Sequence, residues 1–210
     1  MAELILARHG ETVWNVEKVY RGRTDINLDE VGIKQAELLG KHLSNWELEA
    51  IYSSPLRRAL DTANIIARYQ KIGVHIAEGL MDFDYGEWQS LTEQDAKRLH
   101  PALHNEWHNN PHNVKMPSGE SLEDVRRRAI EVVNDVISQY QGSVVLVSHR
   151  VVNKVLICSL LGLDNSYFWN IKQDVGGITI FNYVDGRFVL TRHNDTSHLR
   201  ELQKPVLDDF

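Results

Sequence analysis

The sequence predicts an α/β protein, a three-layer α/β/α sandwich built around a mostly parallel central sheet. Two apolar runs, residues 3–7 and 143–147, have the β-branched and leucine-rich composition that is typical of buried parallel strands. Such runs alternate with segments of helical periodicity, and no internal repeat or low-complexity linker separates them. Because 210 residues suffice for one large domain, we expect a single domain over residues 1–210.

The first half of the chain alternates predicted strands and helices. After the strand at 3–7 comes a loop rich in Gly, Arg and Asp, and then a helix at about 29–45 that Asp29 caps. Three further elements follow: a strand at 50–52, a helix at about 56–70 and a strand at 74–76.

The second half begins with an irregular segment at about 80–118, whose three prolines favour a cap-like insertion. A long helix then runs to about residue 140, with Ser121 and Asp124 as its capping box. The remaining predicted elements are a strand at 143–147, a helix at about 151–162, and a hairpin of Ile178–Tyr183 and Arg187–Leu190 turned by Asp185-Gly186.

Composition excludes several classes of function. The net charge of -6 disfavours a nucleic-acid partner, although a pocket can still be locally basic. No apolar stretch approaches the length that spans a bilayer, and the start of the chain lacks a signal layout, so we expect a cytoplasmic protein without a membrane partner. Cys158 is the only cysteine, which excludes an intrachain disulfide. An exposed sheet edge would allow a homodimer.

Two histidines stand just beyond predicted strands, His9 after 3–7 and His149 after 143–147. In open α/β sheets, ligands bind in the crevice beyond the carboxyl ends of the strands. Histidine is a nucleophile at neutral pH and can form a covalent intermediate. Arg8 offers a planar fork of donors for phosphate oxygens, and Gly10 lets a ligand approach the backbone closely.

A third strand end carries two arginines. Arg57 and Arg58 follow Ser53-Ser54-Pro55-Leu56 at the predicted start of a helix. Basic residues at a helix start are unfavourable unless an anion neutralises them, because free N–H groups and the helix dipole already make this end positive. Either arginine is therefore a candidate to clamp an anion, and a surface charge is the alternative for each.

Four motifs follow one another along the chain: Arg8-His9-Gly10-Glu11-Thr12-Val13-Trp14-Asn15, Ser53-Ser54-Pro55-Leu56-Arg57-Arg58-Ala59, Gly119-Glu120-Ser121 and Val147-Ser148-His149. In this order and spacing they resemble the histidine phosphatase superfamily, also called the phosphoglycerate mutase-like family. The resemblance covers about the first 165 residues.

The resemblance implies roles for individual residues. His9 would be the nucleophile that accepts the phosphoryl group, and His149 would contact the same phosphate. Arg8 and Arg58 would hold the phosphate oxygens, while Arg57 would point elsewhere.

The resemblance also implies a proton donor four residues before a glycine. In Asp82-Phe83-Asp84-Tyr85-Gly86 that position is Asp82, where the family most often has Glu. Asp84 and Glu87 are close enough in sequence to be rivals, and Asp84 is the more serious one. A carboxylic acid there would protonate the leaving alkoxide and then activate water.

Four further residues are candidates for substrate binding. Asn15 belongs to the first motif, and Gly22 continues the resemblance. Where the family often has an arginine this chain has Val19, so the corresponding phosphate or carboxylate contact is expected from Arg21. Arg150 stands where small residues are common and would narrow the pocket or add a cation.

Three histidines invite a metal interpretation, since His100, His104 and His108 recur at helical spacing. The glutamate of a zincin motif is missing between them, and Pro101 with its polar neighbours favours an exposed cap helix. We therefore expect no metal site here and no cofactor.

The function predicted from these observations is metal-independent hydrolysis of a small phosphomonoester metabolite through a phosphohistidine on His9. The alternatives are a cofactor-dependent phosphoglycerate mutase, which usually carries a longer insertion, and a non-catalytic module that binds a phosphorylated ligand. The substrate stays open among phosphoserine, phosphoglycerate-type acids, sugar phosphates and α-ribazole phosphate.

Overall fold

A computed structural model of the chain describes residues 2–202. Within them, six strands form one sheet: β1 (Ala2–Arg8), β2 (Leu48–Ser53), β3 (Val74–Ile76), β4 (Ser143–Ser148), β5 (Ile178–Val184) and β6 (Arg187–Asp195). The strand order is β3-β2-β4-β1-β5-β6. The pairs β2–β3, β2–β4 and β1–β4 are parallel, whereas β1–β5 and β5–β6 are antiparallel. The predicted mostly parallel sheet is confirmed.

Helices connect the strands. They are α1 (Val13–Val16), α2 (Glu30–Leu43), α3 (Arg57–Gln70), α4 (Glu93–Leu99), α5 (Pro101–Asn109), α6 (Leu122–Gln139) and α7 (Arg150–Leu160). The Asp29 side chain accepts a hydrogen bond from the Gly32 amide and caps α2, as predicted. Ser121 and Asp124 form the predicted capping box at the start of α6.

Alternate residues of the central strands face two separate hydrophobic cores. Ile5 and Ala7 of β1 pack with α2 and α3, through residues such as Leu39 and Ile66. Leu4 and Leu6 pack on the opposite face with residues of α6 and α7, such as Val133 and Leu156. Because both faces of the sheet are covered, the predicted three-layer α/β/α sandwich is confirmed.

The hairpin differs from its prediction in one strand. β6 continues to Asp195, whereas the sequence predicted an end at Leu190. The extra residues are polar, so apolar alternation does not mark them, yet Asp195 still pairs with Ile178 of β5 across register shifts.

The segment at 80–118 contains α4, α5 and short 3₁₀ turns. The prediction that the helix bearing the three histidines is exposed is wrong for part of α5, where His104 and Trp107 are buried. The Trp107 ring stacks on Phe83 and contacts Phe168, with centroids 5.5 Å apart in both pairs. This aromatic packing outweighs the polar composition of the surrounding residues.

Among residues 2–202, no helix combines the length and the apolar character needed to cross a bilayer.

Candidate active site

The two strand-end histidines lie side by side. Parallel pairing of β1 with β4 places Arg8 opposite Ser148, and the His9 amide donates a 3.1 Å hydrogen bond to the Ser148 carbonyl. The imidazole centroids of His9 and His149 are 5.2 Å apart, and both side chains are buried. The sheet therefore brings together two residues that stand 140 positions apart.

The His9 ring is oriented by its own loop. Its Nδ1 lies 2.6 Å from the Gly10 carbonyl oxygen, and because a carbonyl only accepts, Nδ1 carries the proton. The neutral ring then has its lone pair on Nε2. Burial, followed by the charge of Arg58, holds the pKa of His9 well below its ordinary value. His9 is thus a neutral imidazole with an unprotonated Nε2 at pH 7.

His149 stands at the N-cap position of α7, and its side chain contacts residues from two other parts of the chain. Its Nε2 lies 2.8 Å from the Ser54 hydroxyl at the end of β2, and its Nδ1 lies 3.6 Å from Asp82 Oδ2. Burial and the charge of Arg58 also keep the pKa of His149 well below its ordinary value. Ser54 belongs to the second family motif, but the motif alone does not predict its contact with His149.

Arg8 and Arg58 are both fully buried beside these rings. Arg58 donates hydrogen bonds of 2.7 Å to the Gly22 carbonyl and 2.9 Å to Asp82 Oδ2. Arg8 donates a 2.6 Å hydrogen bond to the Gln173 carbonyl. Burial lowers the pKa of Arg58, and the Asp82 carboxylate opposes that shift. Arg57, by contrast, is exposed and pairs with Asp25 at 3.2 Å, away from the site as expected.

Among the three acids considered as proton donors, Asp82 is the one that contacts this group. It is buried, and its Oδ1 accepts a 2.8 Å hydrogen bond from the Phe83 amide. Asp84 instead accepts from the Gly86 amide and lies 3.5 Å from Arg23. Glu87 is exposed. The loop geometry thus favours Asp82 over both rivals.

Arg128 and Glu120 hold the loop that carries Asp82. Arg128, on α6, binds Glu120 through two hydrogen bonds of 2.9 and 3.0 Å. The same guanidinium donates to the carbonyls of Gly79, Met81 and Asp82. Arg128 carries no sequence signal of this role, because nothing in its helical neighbourhood marks it apart from Arg126 and Arg127.

A cleft opens beside Asp82. It is lined by Arg21, Gly22, Tyr85 and Arg150, together with Val19, Tyr20 and Val151. Arg21 donates to the Trp14 carbonyl at 3.1 Å, and the Arg150 guanidinium lies 5.6 Å from the Trp169 ring centroid. Burial raises the pKa of Tyr85 to about 12, so its hydroxyl stays protonated in the cleft. The structure places both predicted arginines at one opening.

Asn15 and Gly22, two of the residues predicted to bind substrate, make structural contacts in this protein. The Asn15 side-chain oxygen accepts from the amide and the hydroxyl of Thr12, which closes the first turn of α1. Gly22 adopts a φ of 51°, a conformation that favours glycine, and its carbonyl accepts from Arg58.

Gly10 is explained by helix packing rather than by ligand approach. A Cβ added to Gly10 would lie 2.3 Å from the Gly32 carbonyl oxygen in α2. The interpretation of Gly10 as an opening for ligand is therefore corrected, since α2 occupies that space.

The family model of the histidine phosphatase superfamily (branch 1) matches residues 4–196. The chain belongs to this superfamily. A curated relative of this histidine phosphatase, Phosphoserine phosphatase 1 of Hydrogenobacter thermophilus, is 36% identical over 96% of each chain.

Solved structures agree with the family and the fold. The structure of Bacillus stearothermophilus YhfR has a TM-score of 0.90 at 33% identity and covers 95% of this histidine phosphatase and 100% of its own chain. A mutant phosphoserine phosphatase from Entamoeba histolytica in complex with phosphoserine has a TM-score of 0.85 at 32% identity, with coverage of 95% and 100%. The same enzyme is also solved with 3-phosphoglyceric acid.

Proposed function

We propose that this protein is a metal-independent phosphatase that hydrolyses a small phosphomonoester through a phosphohistidine on His9. The observation that best supports this proposal is the neutral His9 imidazole, with Nε2 unprotonated, beside two buried arginines. The family match and the phosphoserine phosphatase relatives support a phosphatase in the coarser sense. The nucleophile, the intermediate and the residue roles are our inference from the geometry.

In the first step, His9 Nε2 attacks phosphorus and the bond from phosphorus to the ester oxygen breaks. Asp82 gives its proton to the departing oxygen, which leaves as an alcohol. Arg8, Arg58 and His149 stabilise the charge on the three phosphoryl oxygens. The two arginines supply positive charge that metal ions supply in other phosphoryl-transfer enzymes, and neutral His149 contributes a hydrogen bond.

In the second step, the Asp82 carboxylate takes a proton from water as the water oxygen attacks phosphorus. The bond between phosphorus and Nε2 breaks, which restores neutral His9 and releases inorganic phosphate. Protons balance over the cycle, because Asp82 ends protonated as it began.

The pairing of Arg58 with Asp82 explains how Asp82 could become an acid. Without substrate, the carboxylate takes one Arg58 donor at 2.9 Å. A phosphate dianion would compete for that donor and place a second negative charge beside the carboxylate. A like charge favours the protonated form, so substrate binding would itself prepare Asp82 for proton donation.

For the substrate class, we propose a carboxylated phosphomonoester such as phosphoserine or a phosphoglycerate-type acid. Arg21 and Arg150 line the cleft beside Asp82, where they could receive a carboxylate in addition to the phosphate. The Hydrogenobacter relative and the Entamoeba complexes support a small phosphorylated acid. We extend the same proposal to the architecture, as one domain whose segment at 80–118 forms a cap.

The test combines a substrate panel with trapping of the intermediate. The panel contains phosphoserine, 3-phosphoglycerate, sugar phosphates and α-ribazole phosphate, and the readout is released phosphate. Wild-type protein is quenched during turnover under alkaline denaturing conditions, which preserve phosphohistidine, and mapped by mass spectrometry. We expect preference for carboxylated esters, an adduct on His9, and only background turnover in His9→Ala.

Other results would select an alternative. An adduct on a different side chain, or equal turnover in His9→Ala, would refute the phosphohistidine on His9. Isomerised product that depends on a bisphosphate primer would identify a mutase. Ligand binding with background turnover in both proteins would indicate a binding module.

A further inference from the structure

A second cluster of chemistry-bearing side chains lies in the segment at 80–118. Glu93 begins α4, while His104 and His108 stand one turn apart on α5. Glu93 Oε1 lies 4.0 Å from His104 Nε2 and 3.9 Å from His108 Nε2, and all three ligand atoms lie within 4.8 Å of one another.

We propose that Glu93, His104 and His108 form a zinc-binding site that joins α4 to α5. Two imidazole nitrogens and one carboxylate oxygen are a ligand set that Zn²⁺ takes in proteins, with water in the fourth position. None of the three residues takes part in the proposed phosphatase reaction.

The spacing of the ligand atoms is close to that of a bound ion. With metal–ligand bonds of about 2.1 Å, two ligands of a tetrahedral zinc ion lie about 3.4 Å apart. The distances of 3.9 and 4.0 Å from Glu93 exceed this by about half an ångström. The side chain of Glu93, about one-third exposed, has room to make that adjustment.

Both imidazoles have an Nε2 atom that is available to a metal ion. His108 Nδ1 lies 2.9 Å from the His104 carbonyl oxygen, so Nδ1 donates its proton there and leaves the Nε2 lone pair free for a metal. His104 Nε2 is buried and has no hydrogen-bond partner among the described residues. A buried, unsatisfied ring nitrogen is costly, and a metal ion would satisfy it.

Tryptophans fix the orientation of both rings. The His104 ring stacks on Trp88 with centroids 6.1 Å apart, and the His108 ring stacks on Trp169 at 5.5 Å. These contacts limit the movement of both rings, and Glu93 supplies the remaining adjustment.

This proposal revises the expectation of no metal in this segment. The earlier set of His100, His104 and His108 lacked an acid, and the structure replaces His100 with Glu93 from the preceding helix. Because the three ligands come from α4 and α5, we expect zinc to stabilise the packing of these helices rather than to enter the chemistry.

The test measures zinc binding to tag-free, chelator-treated full-length protein by titration calorimetry. Variants Glu93→Gln, His104→Gln and His108→Gln each remove one ligand, and His112→Gln is the control because His112 is exposed and outside the cluster. We expect one equivalent of zinc in the wild type and the control, and at least about tenfold weaker binding in each ligand variant. Substitution with Co²⁺ should give the visible absorption of a tetrahedral ion.

Two results would overturn the zinc site. One is wild-type protein that binds no zinc under these conditions. The other is undiminished binding in Glu93→Gln, whose partly exposed position makes loss of folding an inadequate explanation. A rise in melting temperature with zinc, present in His112→Gln and absent in Glu93→Gln, would support it. Phosphatase turnover of the chelator-treated samples tests the proposed reaction separately, and we expect it to be unchanged.

Discussion

At the scale of single residues, the neighbours of a carboxylate decide what it can do. Asp82 and Asp84 are two positions apart, yet Asp82 contacts Arg58 and His149 whereas Asp84 serves the Gly86 turn. Sequence alone left these two acids as rivals. The contacts favour Asp82 for the proton transfers that we propose.

Asp82→Asn is therefore expected to lower turnover of phosphoserine by about 10²–10⁴-fold, because the alkoxide leaving group loses its acid. The matched variant Asp84→Asn should keep turnover within about tenfold of wild type, since it alters the loop and not the proton donor. Steady-state kinetics of both variants measure the difference.

Comparing a substrate with a poor leaving group and one with a good leaving group distinguishes loss of acid catalysis from misfolding of the variant. With 4-nitrophenyl phosphate, whose leaving group needs no proton, Asp82→Asn should still show a rapid burst of nitrophenol before slow turnover. A larger loss in Asp84→Asn than in Asp82→Asn would reverse the assignment.

At the scale of elements, helix α2 and the loop after β1 meet backbone to backbone. Gly10 faces the Gly32 carbonyl, and a Cβ on Gly32 would in turn lie 2.1 Å from the Glu11 carbonyl oxygen. The Gly10 carbonyl also orients His9. Close packing of a helix is thus coupled directly to the orientation of His9, the proposed nucleophile.

Gly10→Ala should lower the free energy of unfolding by about 1–3 kcal/mol, because the added methyl group overpacks a backbone contact. Turnover should also fall, since the loop after His9 must move. Gly73→Ala is the control, because no heavy atom lies within 4 Å of a Cβ at that position. Urea unfolding and kinetics measure both effects. Equal stability of the two variants would contradict the packing argument.

At the scale of the whole molecule, burial of neutral histidines couples stability to pH. The pKa values of His9 and His149 in the folded protein are well below the 6.5 of an exposed histidine. Below pH 6.5 these two histidines therefore become protonated in the unfolded chain and stay neutral in the folded protein. The contribution of the two neutral histidines to the free energy of unfolding is fully present above pH 6.5 and is lost as the pH falls below it.

We expect the free energy of unfolding to fall by about 1 kcal/mol between pH 6.5 and 5.5 for each of these two histidines. Urea denaturation at several pH values measures the slope. His9→Gln should reduce the slope, whereas His112→Gln, at an exposed position, should leave it unchanged. A stability that is constant or rises as the pH falls through this window would contradict the neutral state of the buried rings.

Much of the architecture follows from local and periodic signals. The apolar runs of β1 and β4, the Ser121–Asp124 capping box and the Asp185-Gly186 turn act over a few residues, so the chain itself displays them. The neighbourhood of His9 and His149 was also predictable, because parallel strands align their carboxyl ends at one edge. The family motifs added Arg8 and Arg58 to that neighbourhood.

Other features depend on how finished elements pack against one another. Three contacts have no periodic or local signal in the sequence. They are the hydrogen bonds from Arg128 to the Asp82 loop, the contact of Gly10 with Gly32, and the approach of Glu93 to His104. Each joins side chains or backbone from separate elements, and their distance is set by the packing of the hydrophobic cores and aromatic rings. Residue type and spacing determine which groups are present at the strand ends, whereas only tertiary packing decides which of them touch.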